Sequence, residues 1–185
     1  MKKTIILLLC CFLTISLYAQ KEHLKFMGIP LNGTITQFQQ KLQAKGVRYD
    51  AKSSKSIPTG CKIFKGSFSG KPADFYVYFD EKTKIVYRAK AVIQKKGSES
   101  VKSEQMNFKD LLSNKYPNHV PQDGEQGGFP AYSILLPDSQ NEYLGSIDLY
   151  ITDTGYSFLD DYYLHIDYTD GPNGNTHQKN NMDDL

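Results

Sequence analysis

The chain has 185 residues, 39% of them hydrophobic, with 22 Lys and Arg against 20 Asp and Glu. That length suffices for one domain or two small ones around a real core. Cys10 and Cys11 fall in an apolar leader, so Cys61 alone remains and a disulfide-stapled scaffold is excluded. The small net charge conceals a division: residues 20–120 carry 19 Lys and Arg against 8 acids, a net of +11, while residues 121–185 carry 1 against 12, a net of −11. Opposed halves suggest complementary surfaces, either within the molecule or toward partners.

Residues 1–19 read as a signal peptide. Lys2 and Lys3 form the positive start, Thr4–Leu17 is an apolar run too short to span a bilayer comfortably, and Ala19 is a plausible cleavage residue. Leu9, where a lipidated cysteine needs a small residue before it, argues against a lipid anchor at Cys10. No other stretch is apolar enough to cross a membrane. The expected location is therefore outside the cytoplasm, periplasmic or extracellular.

Leu24–Gly46 is the most legible segment. After the turn dipeptide Asn32-Gly33, Thr34 and Gln37 have the spacing of a capping box. Ile35, Phe38 and Leu42 then recur at helical spacing, and Gly46 suits a left-handed helix end. Only one stripe is apolar, so this helix has to lie on something. A Ser/Lys-rich loop, Ala51–Gly60, follows. Three strands come next: Cys61–Ser69, Asp74–Asp80 and Ile85–Gln94. In the second, Phe75, Val77 and Phe79 alternate with Tyr76 and Tyr78. In the third, Ile85, Tyr87, Ala89, Ala91 and Ile93 alternate with Arg88 and Lys90. Period two over such runs predicts an antiparallel sheet with one covered face.

The pattern then restarts. A helix capped by Ser98 or Ser100 runs to about Tyr116, with Val101, Phe108, Leu111 and Leu112 as its stripe and Pro117 as its stop. Asn118–Pro130 reads as a Gly/Pro-rich loop. Strands are expected at Ala131–Leu136, Gly145–Thr152 and Asp161–Thr169, and the polar segment 171–185 as a disordered tail. The predicted fold is α+β: a tandem repeat of one helix plus three antiparallel strands, units 20–97 and 98–170, helices on one face of the sheet.

The opening FMGIPLNGTITQFQQKLQAKG resembles the N-terminal signature of a secreted protein family of Bacteroides-type bacteria that has no assigned activity. More remotely, the helix-plus-sheet plan and the Gly33-Thr34…Leu42…Gly46 pattern are similar to the beta-lactamase-inhibitor-protein-like fold. That resemblance implies binding of a protein partner through a sheet face, and it carries no catalytic residue or cofactor to transfer.

The residues themselves offer little catalytic chemistry. His23, His119, His165 and His177 are widely spaced, and neither a zinc pairing, a Gly-x-Ser-x-Gly elbow nor a phosphate loop is present. Gly124–Gly128 has neither a strand before it nor a helix after it. The densest constellation is His165 with Asp167 and Asp148, placed by alternation on one strand face, where an imidazole between carboxylates suits a base or a metal.

The tyrosines point elsewhere. Tyr76, Tyr78, Tyr150 and Tyr163 fall opposite the apolar set, beside Arg88, Lys90 and His165, and exposed tyrosine beside charge is the composition of recognition surfaces. These seven residues are the expected binding surface for a protein or cell-envelope component, with no cofactor, no metal and no catalysis. Nucleic acid is a poor partner for an exported protein. Two other classes stay open: a small-ligand carrier with a pocket between helices and sheet, and a minimal hydrolase around His165. Because neither Tyr78 nor Arg88 belongs to the apolar set, replacing both by Ala is expected to spare the fold.

Overall fold

The computed structural model describes residues 22–137, 143–155 and 160–182; the expected signal peptide, residues 1–19, lies outside them. A two-stranded hairpin opens the chain, β1 (Lys25–Phe26) and β2 (Ile29–Pro30), turning through Met27 and Gly28, both at positive φ. Helix α1 (Ile35–Ala44) follows. Its Thr34 hydroxyl accepts from Gln37 N at 3.4 Å, and the Gln37 side-chain amide oxygen accepts from Thr34 N at 3.1 Å, which completes the capping box.

Next come β3 (Arg48–Tyr49), a four-residue helix α2 (Ala51–Ser54) capped by Asp50, and strands β4 (Cys61–Phe68), β5 (Lys71–Phe79) and β6 (Val86–Lys96). Helix α3 (Ser98–Lys115) leads to β7 (Val120–Gln126), β8 (Phe129–Pro137), β9 (Tyr143–Asp153) and β10 (Asp161–Asp170), and α4 (Gly171–Met182) closes the described chain. Among the described residues no helix is long and apolar enough to cross a membrane.

The predicted fold needs correcting. Instead of a helix plus three strands repeated, β3 to β10 form one eight-stranded antiparallel sheet in the order β3-β4-β5-β6-β10-β9-β8-β7. Four strands follow α1 and four follow α3, and the two runs meet where β6 pairs with β10 along nine residue pairs. Two strands of this sheet escaped the sequence reading. β3 is only two residues long. β7 falls in the expected Asn118–Pro130 loop and hides its period because all seven of its residues are exposed. Gly127 and Gly128, at φ 60° and 78°, make the two-residue turn into β8, the geometry favoured for hairpins. As a sheet edge, β7 tolerates Pro121.

The core lies between the sheet and helices α1 and α3. Phe38 and Leu42 of α1 and Val101, Phe108 and Leu112 of α3 enter one cluster with Phe64, Phe75, Ile147, Leu149, Leu164 and Ile166. Phe26 of the opening hairpin sits between Phe68, Phe75 and Tyr168, with ring centroids 5.2–5.8 Å apart. The stripe of α3 differs from expectation. Leu111 is 58% exposed, while Glu104 and Gln105 are buried. Glu104 pairs with Lys71 and Lys95 at 3.2 and 3.1 Å, and the Gln105 amide donates to the carbonyls of Pro130 and Leu149. Gly97, not Ser98 or Ser100, is the N-cap of this helix, which has no side-chain cap.

The segment expected to be a disordered tail instead forms α4. Its residues are poor helix formers, and tertiary bonds hold it. The buried Asp170 carboxylate accepts from Leu24 N at 2.8 Å and from Asn173 N at 3.0 Å, and it also meets His23 at 3.0 Å. Asn173 donates to the Leu31 and Val86 carbonyls, and His177 stacks on Tyr87 with centroids 4.1 Å apart. The turn out of β10 passes so close to β9 that a Cβ on Gly171 would stand 2.5 Å from the Tyr143 carbonyl oxygen.

Candidate binding face

Alternation along the central strands gives the sheet a second face. On β5, Ala73, Phe75 and Val77 are buried under the helices while Asp74, Tyr76 and Tyr78 point away. On β6, Ala89, Ala91 and Ile93 oppose Arg88, Lys90 and Val92; on β9 and β10, Ile147, Leu149, Ile151, Leu164 and Ile166 oppose Asp148, Tyr150, Thr152, Tyr163 and His165. All seven residues expected at a binding surface, Tyr76, Tyr78, Arg88, Lys90, Tyr150, Tyr163 and His165, therefore share the face that α1 and α3 leave uncovered, and each is half-buried.

Register brings them together. Tyr76 stands across from Lys90, Tyr78 across from Arg88, and His165 across from Tyr150. The Arg88 guanidinium lies 4.9 Å above the Tyr78 ring, and the Lys90 ammonium lies 5.2 Å from the Tyr76 ring. Tyr150 and His165 stack with centroids 4.5 Å apart and planes 4° from parallel. The anchor beneath them is Asp167, only 1% exposed, which receives Arg88 Nε at 2.8 Å and a second bond from its Nη2. This fork-on-carboxylate geometry fixes the guanidinium and raises its pKa still further.

Three cavities open on this side. The largest, about 940 Å³, is lined by Arg48, Lys65, Tyr76, Lys90, Thr152 and His165, among others. A second of about 580 Å³ has Cys61, Tyr78, Tyr87 and His177 in its wall, so α4 forms its rim, and a third of about 360 Å³ is floored by Arg88, Asp148, Tyr150 and Asp167. The layer between the helices and the sheet is instead packed by Phe26, Phe38, Phe64 and Phe75, each at most 1% exposed. That layer is where a carrier's pocket was expected.

Sequence reading missed two participants. Tyr87 was assigned to the covered side, but a register shift between Tyr78 and Phe79 makes Tyr78 pair with Arg88 and Phe79 with Val86. The extra residue turns Val86 inward and Tyr87 toward α4. His177 lay in the segment read as disordered. No period-two pattern exposes either residue.

The catalytic reading of His165 finds little geometry. Asp167 is committed to Arg88, and Asp148 is bonded by the hydroxyls of Ser133 and Ser146. The Thr152 hydroxyl lies 2.9 Å from His165 Nε2, the first half of a nucleophile–base arrangement, but buried Nδ1 has no hydrogen-bond partner and no carboxylate to orient it. Burial, then the Lys90 charge, against a smaller opposing pull from Asp167, lowers the His165 pKa to about 4. The ring is thus neutral and weakly basic at pH 7. Burial pushes the Cys61 thiol up to about 11, away from the reactive thiolate, and burial likewise holds Tyr150 up at about 12. Among the described residues no group of three or more His, Cys, Asp or Glu is arranged to hold a metal ion.

No family model, curated protein or solved structure matches the chain, so the two resemblances rest on their own residues.

Proposed function

We propose that this is an exported, non-catalytic binding module that recognises a protein or cell-envelope partner through the uncovered face of its sheet. The observation that carries this reading is the ordering of that face. Its tyrosines and cations are held in place by one another, Arg88 on Asp167, Tyr78 beneath Arg88, Tyr150 against His165, while among the described residues α1 and α3 lie on the other face. Side chains already fixed lose little entropy on association. Tyr and Arg are also the residue types that most often dominate binding energy. The first resemblance implies secretion, and the remoter one implies partner binding through a sheet face.

The test is site-specific photo-crosslinking in the cell that exports the protein. A benzophenone side chain replaces Tyr163 on the uncovered face or, separately, Leu111 on the outer side of α3. Discrete protein or envelope adducts from position 163 and not from 111 support the proposal. Adducts from 111 alone, or from neither, contradict it.

A further inference from the structure

At the centre of the uncovered face one cation has no bonded carboxylate among the described residues. Lys90 stands directly across the β6–β10 ladder from Asp167, yet both oxygens of that carboxylate are taken by Arg88. Among the described residues no carboxylate lies within ion-pair distance of the Lys90 ammonium. Its nearest polar partner is the Tyr150 hydroxyl at 3.4 Å, a long contact, and the Tyr76 ring supplies the rest. Burial disfavours the ammonium most; the Asp167 charge attracts it without bonding it, Arg88 repels it more weakly, and His165 and the Cys61 thiol are neutral at pH 7. A half-buried cation with no carboxylate bonded to it costs stability that an apolar side chain would not.

The groove that Lys90 lines has a shape to match. Its wall includes Arg48 on β3, Lys65 on β4, Tyr76 on β5, Lys90 on β6, His165 on β10 and Thr152 on β9. Six adjacent strands at about 4.8 Å spacing make it about 24 Å long, the reach of about seven extended residues. That exceeds any small carboxylic acid. Asp74 and Asp153 also line it, and they would repel a polyanion such as a phosphate chain or nucleic acid.

We infer that the Lys90 ammonium seats a single carboxylate carried by the partner, and that the groove across β3 to β9 receives an extended protein segment with one acidic side chain near its middle. This inference rests on the proposed function and names the chemistry of what that face recognises.

The test uses two matched sets of capped heptapeptides, one with Glu at the centre and one with Gln there, titrated by fluorescence anisotropy against the full mature chain. Free glutarate serves as the small-acid control. The expected result is that the tightest Glu peptides lose about tenfold or more in affinity as their Gln counterparts. Lys90→Met is expected to abolish the Glu–Gln difference while leaving the melting temperature equal or higher. Three results overturn the inference: a Glu–Gln difference that survives in Lys90→Met, glutarate binding as tightly as the best peptide, or no peptide binding at all. A clear fall in the melting temperature of Lys90→Met also overturns it, because the ammonium would then be a structural partner of Asp167. If adducts form at position 163 but Glu peptides show no preference, this inference fails and the proposed binding face stands.

Discussion

Along β5, Phe75 and Val77 are sealed under the helices while Tyr76 and Tyr78, their immediate neighbours in sequence, remain half exposed on the other side. The same division runs through β6, β9 and β10. One face is held by shape, with Phe rings interlocking edge to face and aliphatic side chains filling between them. The other is held by charge, through a single buried carboxylate and the cations and aromatic rings arranged around it. Shape-held packing needs the whole cluster and tolerates no gap. Charge-held order depends on one or two pairs, so the second face can keep its arrangement while open to a partner.

The two faces should therefore break differently. The largest effect is expected on the covered side. Phe38→Ala removes a ring that is 1% exposed at the centre of the α1 contact and should cost about 3–5 kcal/mol in chemical denaturation. Among the described residues no disulfide is available to offset the loss.

Arg88 is the next test, and it revises the expectation that replacing Tyr78 and Arg88 would spare the fold. Arg88→Ala leaves Asp167 buried without its partner. Since the Arg88 side chain is itself 36% exposed, the cost should be about 2–3 kcal/mol, below the full value for a sealed pair. The double variant Arg88→Leu/Asp167→Leu should recover most of that loss. If it does not, the pair contributes more than charge compensation.

A smaller effect should appear with pH. The folded-state pKa of His165 is about 4, below its ordinary 6.5, so the unfolded chain binds this proton more readily. The corresponding stability is present above about pH 6.5 and is lost as pH falls toward 4. His165→Gln should flatten that part of a stability-against-pH curve. An unchanged slope would mean that the ring is not held neutral by its surroundings.

Salt should matter least. The basic and acidic halves do meet, through Arg88–Asp167 and Lys109–Asp123, but the second pair is exposed. Raising ionic strength is expected to lower the melting temperature by about a degree or less. A large drop would place the opposed charges, rather than the core, in control of stability.

How much of this could be read from the sequence follows the same division between shape and charge. Wherever a face is covered, burial imposes a period, and Thr34–Gly46 and the cores of β5, β6, β9 and β10 could be placed from it. The residues Tyr76 to His165 were then located by parity, as the complement of that pattern. Where nothing covers a strand there is no period to read: β7 is exposed throughout and looked like a loop. The segment from Gly171 has no apolar stripe, Met182 and Leu185 being its only large apolar residues, and its helix depends on Asp170, Asn173 and His177 bonding to partners up to 147 residues away. The bulge at Tyr87 depends on ladder geometry that composition does not encode. The Asp167–Arg88 fork was legible only as parity, not as a pair, because its partners are 79 positions apart.

The most direct measurement of the central claim uses the partner captured at position 163. Its dissociation constant should be measured for the wild-type chain and for Tyr76→Ala, alongside denaturation of both proteins. The account predicts that Tyr76→Ala weakens binding about tenfold or more while retaining a cooperative folded state. Wild-type affinity in a folded Tyr76→Ala protein would contradict it.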